Sequence, residues 1–169
     1  PAIVIEPLNG YRLKEKMPDN LGEFRIELGI PEILSEGTDV TLVTYGSTVK
    51  IAQEATIQLA AHGISVELID VQTLVPFDTN RTIANSLRKT GRILFVDEDV
   101  PGGTTAYMMQ EVIERQGGYQ YLDSPPKTLA AKEHRPAYTT DGDYFSKPSA
   151  EDIFDEVYAM IKEADPGKW

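Results

Sequence analysis

Apolar and polar positions along this chain switch repeatedly between a strand period and a helix period. Val40-Thr41-Leu42-Val43-Thr44-Tyr45 is β-branched and apolar, and Gly37 and Gly46 bracket it, so it predicts a strand. Apolar residues then fall at Val49, Ala52, Ala55, Ile57 and Leu59, a spacing that suits a helix covering a sheet. Ser47 and Thr48 are its candidate N-caps, and Gly63 after His62 is its stop. Residues 65–70 predict a second strand, followed by an irregular connection through Phe77. Asp78 is placed to cap a helix over 79–89, which Gly91 ends. Residues 92–97 form the most apolar run, as expected for the centre of a parallel sheet covered on both faces. A helix over 105–116 follows, closed by Gly117-Gly118. Two short strands are predicted over 119–122 and 128–131, separated by Pro125-Pro126. Residues 134–148 read as a polar, aromatic loop. Ser149 caps a last helix with Glu151 and Asp152 in its first turn and an apolar stripe at Ile153, Val157, Met160 and Ile161. Asp165-Pro166-Gly167 ends it.

Strands alternating with helices predict a three-layer α/β domain, with five strands, mostly parallel, and one antiparallel edge strand. The first 24 residues differ in character. Ala2-Ile3-Val4-Ile5 reads as a complete buried strand with nothing of its own to pair with. Pro7, Asn9-Gly10 and the charged stretch 12–19 read as a surface linker. The expected division is therefore 1–24, the tail of a preceding domain plus linker, and 25–169, the α/β domain. The start at Pro1, without a basic n-region, does not read as a signal peptide; it is expected to be either a processed or engineered start or, the stronger reading, a fragment cut from a longer chain.

Composition narrows the chemistry. A length of 169 residues allows one domain with a full-sized core. A net charge of −11 argues against nucleic-acid binding and against docking on anionic lipid. There is no Cys, which excludes disulfides, thiolate catalysis and Cys-based zinc sites. With only His62 and His134, no metal site is expected to be built from histidines alone. No apolar run approaches the roughly 20 residues that span a bilayer.

Three stretches are candidates for chemistry. The turns at 44–48 and 98–105 each join a strand to a helix, where free backbone N–H groups can bind phosphate; the alternative is that Gly46 and Gly102-Gly103 simply make tight turns. Neither has the glycine spacing of a dinucleotide fingerprint or the Lys of a P-loop. Asp97, Glu98 and Asp99 stand at the carboxyl end of a strand, where ligands of open α/β sheets lie. Successive strand residues face opposite ways, so only Glu98 is expected to point above the sheet. A solvated acidic turn, or a single interfacial hydrogen bond, is the plainer reading of that run. His134-Arg135-Pro136, Tyr138 and Asp141-Gly142-Asp143-Tyr144-Phe145 read as an ordered interface loop, with His134 and Arg135 as anion or interface contacts. Asp141 and Asp143 lack the further oxygen ligands of a calcium loop. Asn80-Arg81-Thr82 matches a glycosylation sequon only by pattern, inside a predicted helix. No nucleophile triad motif is present. Between Glu133 and Asp165 there are nine acids and three bases, over half of the net charge. That is either a solvated helix face or an acidic docking surface for a basic partner.

Several segments together carry a resemblance. Residues 36–46 (Glu-Gly-Thr-Asp-Val-Thr-Leu-Val-Thr-Tyr-Gly), 69–78 (Ile-Asp-Val-Gln-Thr-Leu-Val-Pro-Phe-Asp), Lys89-Thr90-Gly91-Arg92 with Val96-Asp97-Glu98, and Leu122-Asp123-Ser124-Pro125 follow one another in the order found in the C-terminal domain of 2-oxo acid dehydrogenase E1 β subunits. Residues 36–165 resemble that domain nearly throughout, and Ala2–Tyr11 resembles the last strand and exit of the preceding pyrimidine-binding domain. The 134–145 loop is closer to the branched-chain (2-oxoisovalerate) type, particularly to forms with α and β regions fused. The chain departs from the family pattern at Gln72, usually Arg, at Asp97, usually His, and at 133–136.

The resemblance implies a flavodoxin-like fold of the transketolase C-terminal type. It also implies a cytoplasmic enzyme that decarboxylates a 2-oxo acid oxidatively and passes the acyl group to the lipoyl group of E2. Thiamine diphosphate and Mg2+ would serve the whole enzyme and be bound by its other domains. No catalytic, cofactor or metal residue is then expected in these 169 residues, and the chain alone is expected to be inactive. Its partners would be other E1 domains or subunits, as a homodimer or α2β2, and the E2 subunit-binding domain. Glu98, Gly102 and Gly103, then His134 and Arg135, are expected at the interface or active-site rim. Asp123, Glu151, Asp152, Asp155 and Glu156 are expected to dock E2. The alternatives are the C-terminal domain of a transketolase or deoxyxylulose-phosphate synthase, a free-standing nucleotide or flavin module, and a purely structural oligomerisation domain.

Overall fold

A computed structural model describes residues 1–14, 16–135, 138 and 142–169. Five strands form one sheet: β1 (Glu32–Ser35), β2 (Val40–Thr44), β3 (Val66–Asp70), β4 (Ile93–Val96) and β5 (Lys127–Leu129), in the order β1-β3-β2-β4-β5. β1 runs antiparallel to β3, and the other pairings are parallel. Each central strand is apolar on both faces. In β2, Val40 and Leu42 join one core cluster and Val43 the other; in β4, Leu94 and Val96 face the first and Ile93 and Phe95 the second. Helices α1 (Thr48–Ala61) and α5 (Ala150–Ala164) contribute Ala52, Ala55, Leu59, Ile153 and Val157 to the first cluster. Helix α2 (Thr82–Thr90) and α3 (Thr104–Met109), which continues as a π-helical turn over Gln110–Arg115, contribute Ile83, Leu87, Met108 and Val112 to the second. That is the expected three-layer α/β architecture.

The strand count agrees with expectation, but its membership does not. The antiparallel edge strand is β1, a segment whose isolated Ile33-Leu34 pair carries no periodic signal. The strand expected over 119–122 is a 3-10 turn, Gly118–Tyr121. Its alternating Tyr-Gln-Tyr-Leu pattern serves packing instead: Tyr121 and Leu122 lie against the second cluster, and the Asp123 N–H donates to the Gly91 carbonyl at 2.8 Å. The final strand is shorter than expected, ending at Leu129. The 134–148 loop holds a short helix, α4 (Gly142–Ser146). Residues 2–5 are in no strand; Ile3, Val4 and Ile5 are 92%, 82% and 80% exposed, contrary to a buried strand.

The caps explain where helices begin. Ser47 makes no side-chain cap, and the Thr48 hydroxyl donates instead to the Tyr45 carbonyl at 2.7 Å and meets the Thr44 hydroxyl at 2.5 Å, which ties the start of α1 to the end of β2 without capping a helix N–H. Asp78 accepts from the N–H groups of Thr82 and Ile83, so the carboxylate expected to cap this helix does so, three residues further along than expected. Ser149 and Asp152 form a reciprocal capping box at α5. Among the described residues no helix is long and apolar enough to cross a membrane.

Candidate functional site

The sheet order fixes where a site would lie. From β2 the chain crosses to β3 on one side and then returns to β4 on the other. The carboxyl ends of β2 and β4 therefore flank a topological switch point. Over it stand the turn 45–48 and the loop 98–104. The two loops meet through the Tyr45 phenol, which is hydrogen-bonded to Thr104 and held above its ordinary pKa by burial and by Asp97, Asp99 and Glu98.

The acidic run divides its labour. Asp97 is 1% exposed and accepts the Asp99 N–H at 3.0 Å and the Thr105 N–H at 2.9 Å. Asp99 turns back to cap Val100 at 2.8 Å, and its carbonyl accepts the Ala131 N–H at 2.8 Å. Glu98 alone reaches outward, to Lys147 at 2.8 Å, and Lys147 also meets Asp143 at 3.6 Å. Those bonds hold Lys147 protonated more firmly than usual.

The rim glycines differ. Gly102 has φ +86 and nothing within 4 Å of where a Cβ would stand, so its backbone is open to an approaching partner. Gly103 has no such room, because a Cβ there would strike the Asp99 carboxylate. His134 and Arg135 lie on the neighbouring connection. The His134 ring stacks on Phe145 with centroids 5.6 Å apart, Lys132 sits 3.8 Å over that same ring, and Arg135 covers Tyr138 at 4.7 Å. Pro136 and Asp141, the remaining members of the proposed loop motif, lie outside the described residues. Asp143 belongs to α4.

The five acids expected to dock a basic partner are not one patch of equals. Asp123 belongs to the connection before β5. Asp152 is consumed by the cap of α5, accepting from the Ser149 N–H and hydroxyl, and Glu156 meets Lys127 at 3.3 Å. Glu151 and Asp155 remain on the exposed side of α5.

These residues do not suit a diphosphate–magnesium group. Both Asp97 oxygens hold backbone N–H groups, Glu98 holds Lys147, and among the described residues no three metal-ligating side chains converge.

Two features escaped the sequence reading. The 71–78 connection carries positive φ at Gln72 and Asp78, and Tyr107 donates to the Leu74 carbonyl at 3.0 Å; non-glycine residues in that conformation leave no sequence signal. Val75 is 81% exposed at its tip. The second is Tyr45, which reads from sequence only as the end of a strand.

Comparison with known proteins gives the family of this fold. The chain is 31% identical over 160 residues to the pyruvate dehydrogenase E1 component subunit beta of Rhizobium meliloti, covering 95% of this chain and 34% of that one. It is 38% identical over 117 residues to the 2-oxoisovalerate dehydrogenase subunit beta 2, mitochondrial, of Arabidopsis thaliana, covering 68% and 32%. Against such relatives the chain spans between a third and a half of their length. A split-gene transketolase described as an inactive beta4 tetramer superposes with a TM-score of 0.67 at 25% identity, covering 83% of this chain and 45% of that one. Residues 29–153 match the family model "Transketolase, C-terminal domain", and the chain belongs to that family.

Proposed function

We propose that this chain is the C-terminal domain of the E1 β part of a 2-oxo acid dehydrogenase, an assembly and docking domain rather than a catalytic one. The observation that carries the reading is the similarity to E1 β subunits over nearly the whole chain. The geometry supports a contact role: Asp97 and Asp99 hold backbone N–H groups, and Glu98 faces outward with Lys147 beside the open Gly102 backbone. Residues 1–24 are the tail of the preceding domain and its linker. Nine large apolar residues between Ile3 and Phe24 are each more than half exposed, as a segment that packs on another domain would be. The whole enzyme, in this reading, is cytoplasmic and uses thiamine diphosphate and Mg2+ held by its other domains. It decarboxylates a 2-oxo acid and transfers the acyl group to lipoyl-E2. Its E1 partners complete a homodimer or α2β2 assembly.

Within that rim, Glu98 with Lys147, Gly102 and Gly103 face the other E1 domains, and His134 and Arg135 extend the contact. The exposed side of α5, with Glu151 and Asp155, receives the E2 subunit-binding domain through its charge. The branched-chain substrate is the finer part of the proposal. It rests on 38% identity to a 2-oxoisovalerate dehydrogenase β subunit, beside pyruvate dehydrogenase relatives at 30–35%.

Titration calorimetry with an isolated E2 subunit-binding domain tests the docking role. Binding that weakens as salt rises, and weakens further in Glu151→Gln/Asp155→Asn, is expected. Absence of binding to this chain and to the assembled E1 alike would overturn the docking role.

A further inference from the structure

One buried carboxylate at the switch point holds a whole loop, and among the described residues no cation pairs with it. Asp97 pins the 98–104 loop at both ends, through the N–H groups of Asp99 and Thr105. The groups facing it come from each neighbouring element. The turn after β2 supplies the Tyr45 phenol, and the loop itself supplies Glu98 and Asp99. The start of α3 supplies the Thr104 hydroxyl and the Thr105 backbone. The strand beside it, β5, supplies only backbone, the Leu129 carbonyl accepting the Asp97 N–H at 3.2 Å. From the connection after α4, Lys147 points to Glu98. Among the described residues no Lys, Arg or His forms an ion pair with Asp97.

Both hydrogen-bond partners of this carboxylate are donors. A proton taken from solvent onto either oxygen removes the negative charge that strengthens both hydrogen bonds and makes that oxygen a weaker acceptor for the N–H in front of it. The bond at the protonated oxygen is weakened most, while the other oxygen keeps its partner. We propose that Asp97 is a proton-operated latch: charged, it closes the 98–104 rim loop, and protonated, it releases one end of that loop. Gly102 gives the released end room to move, since its backbone has open space beside it. Burial, reinforced by the charges of Asp99 and Glu98, raises the Asp97 pKa to about 6, against the pull of its two N–H bonds. The latch thus works in mild acid. It stands on the geometry of the loop and does not depend on which substrate the parent enzyme turns over.

The test is a pH titration of the isotope-labelled chain by NMR, from about pH 7.5 to about pH 5. The amide protons of Asp99 and Thr105 and the carboxyl carbon of Asp97 are expected to shift with one shared midpoint near 6. Asp97→Asn should abolish that midpoint at both amides, and Glu98→Gln should keep it. Amides that stay flat in the wild-type chain would overturn the latch. So would a midpoint that survives in Asp97→Asn or disappears in Glu98→Gln. Should Asp97→Asn not fold, the wild-type carboxyl carbon and the Glu98→Gln titration decide the matter alone.

Discussion

Glu67 and Asp97 are each 1% exposed, one on β3 and the other at the end of β4, yet they behave in opposite ways. Burial pushes both upward. At Glu67, hydrogen bonds from Lys89 and Ser86 overcome that push and hold the carboxyl below its ordinary value. Lys89 also reaches Glu36 at 3.2 Å, which closes the side of the sheet near β1 and α2 with a small ion network. At Asp97 burial meets just the pull of two backbone N–H groups, two nearby acids add to the rise, and among the described residues no cation pairs with it, so burial wins. A carboxylate at the same depth is a fixture where a cation meets it and a movable part where, among the described residues, none does. The fixture sits where the fold must be fixed, and the movable acid sits under the rim where ligands of such sheets lie.

The sharpest break in that comparison comes from the backbone beneath the fixture. A Cβ at Gly37 would overlap the backbone of Val66 and Glu67, and backbone cannot swing aside. Gly37→Ala should therefore cost about 3 kcal/mol or more, measured as a lowered urea midpoint. Next is the cation. Lys89→Met leaves Glu67 buried without its partner. Because the Lys89 side chain is 41% exposed, the cost should be about 1–2 kcal/mol rather than the larger figure for a fully buried pair. Its sign with pH is specific. A lowered folded-state value means the wild-type Glu67 contribution is present above the unfolded value and lost as pH falls through the folded one. Lys89→Met should remove that acid-side loss, which stability curves at several pH values would reveal.

Asp97 should do the reverse. Its folded-state value is raised to about 6, so the folded chain keeps a proton that the unfolded chain has already released. Its contribution is most favourable below the unfolded value and is lost as pH rises through about 6. The global fold thus gains from the same protonation that weakens the hold of Asp97 on the rim loop. Comparing Asp97→Asn with wild type, the stability difference should change between pH 4 and 7 in that direction. A stability difference that stays constant over that range would contradict the raised value.

Smaller effects separate caps from surface pairs. Ser149→Ala removes the capping box of α5 and should cost about 1 kcal/mol of thermal stability. Glu98→Gln breaks an exposed pair with Lys147 and should change stability by less than about 0.5 kcal/mol. Any larger loss would mean that Glu98 holds the domain together rather than facing outward.

How far the sequence reveals this molecule depends on whether a residue's job is local. The apolar runs of β2, β3 and β4 and the amphipathic α5 announce themselves by period, and with them the three layers. The β1 edge does not, because a four-residue strand gains its identity from pairing with β3 across the chain. Tyr119–Leu122 has a strand pattern that tertiary contacts override. At the rim, Glu98 is legible as the outward member of its run, since strand alternation dictates it. The latch is not: that Asp97 receives the N–H of Thr105, eight residues on, follows only from the path of the loop.

The most direct test of the central claim is the size of the native polypeptide that contains these 169 residues, read in cells with an antibody against this chain. The account predicts a polypeptide well above the size of 169 residues, large enough to carry the catalytic domains of a β subunit or of a fused α–β enzyme. A product of this size alone, in an organism where it binds no larger E1 partner, would contradict it.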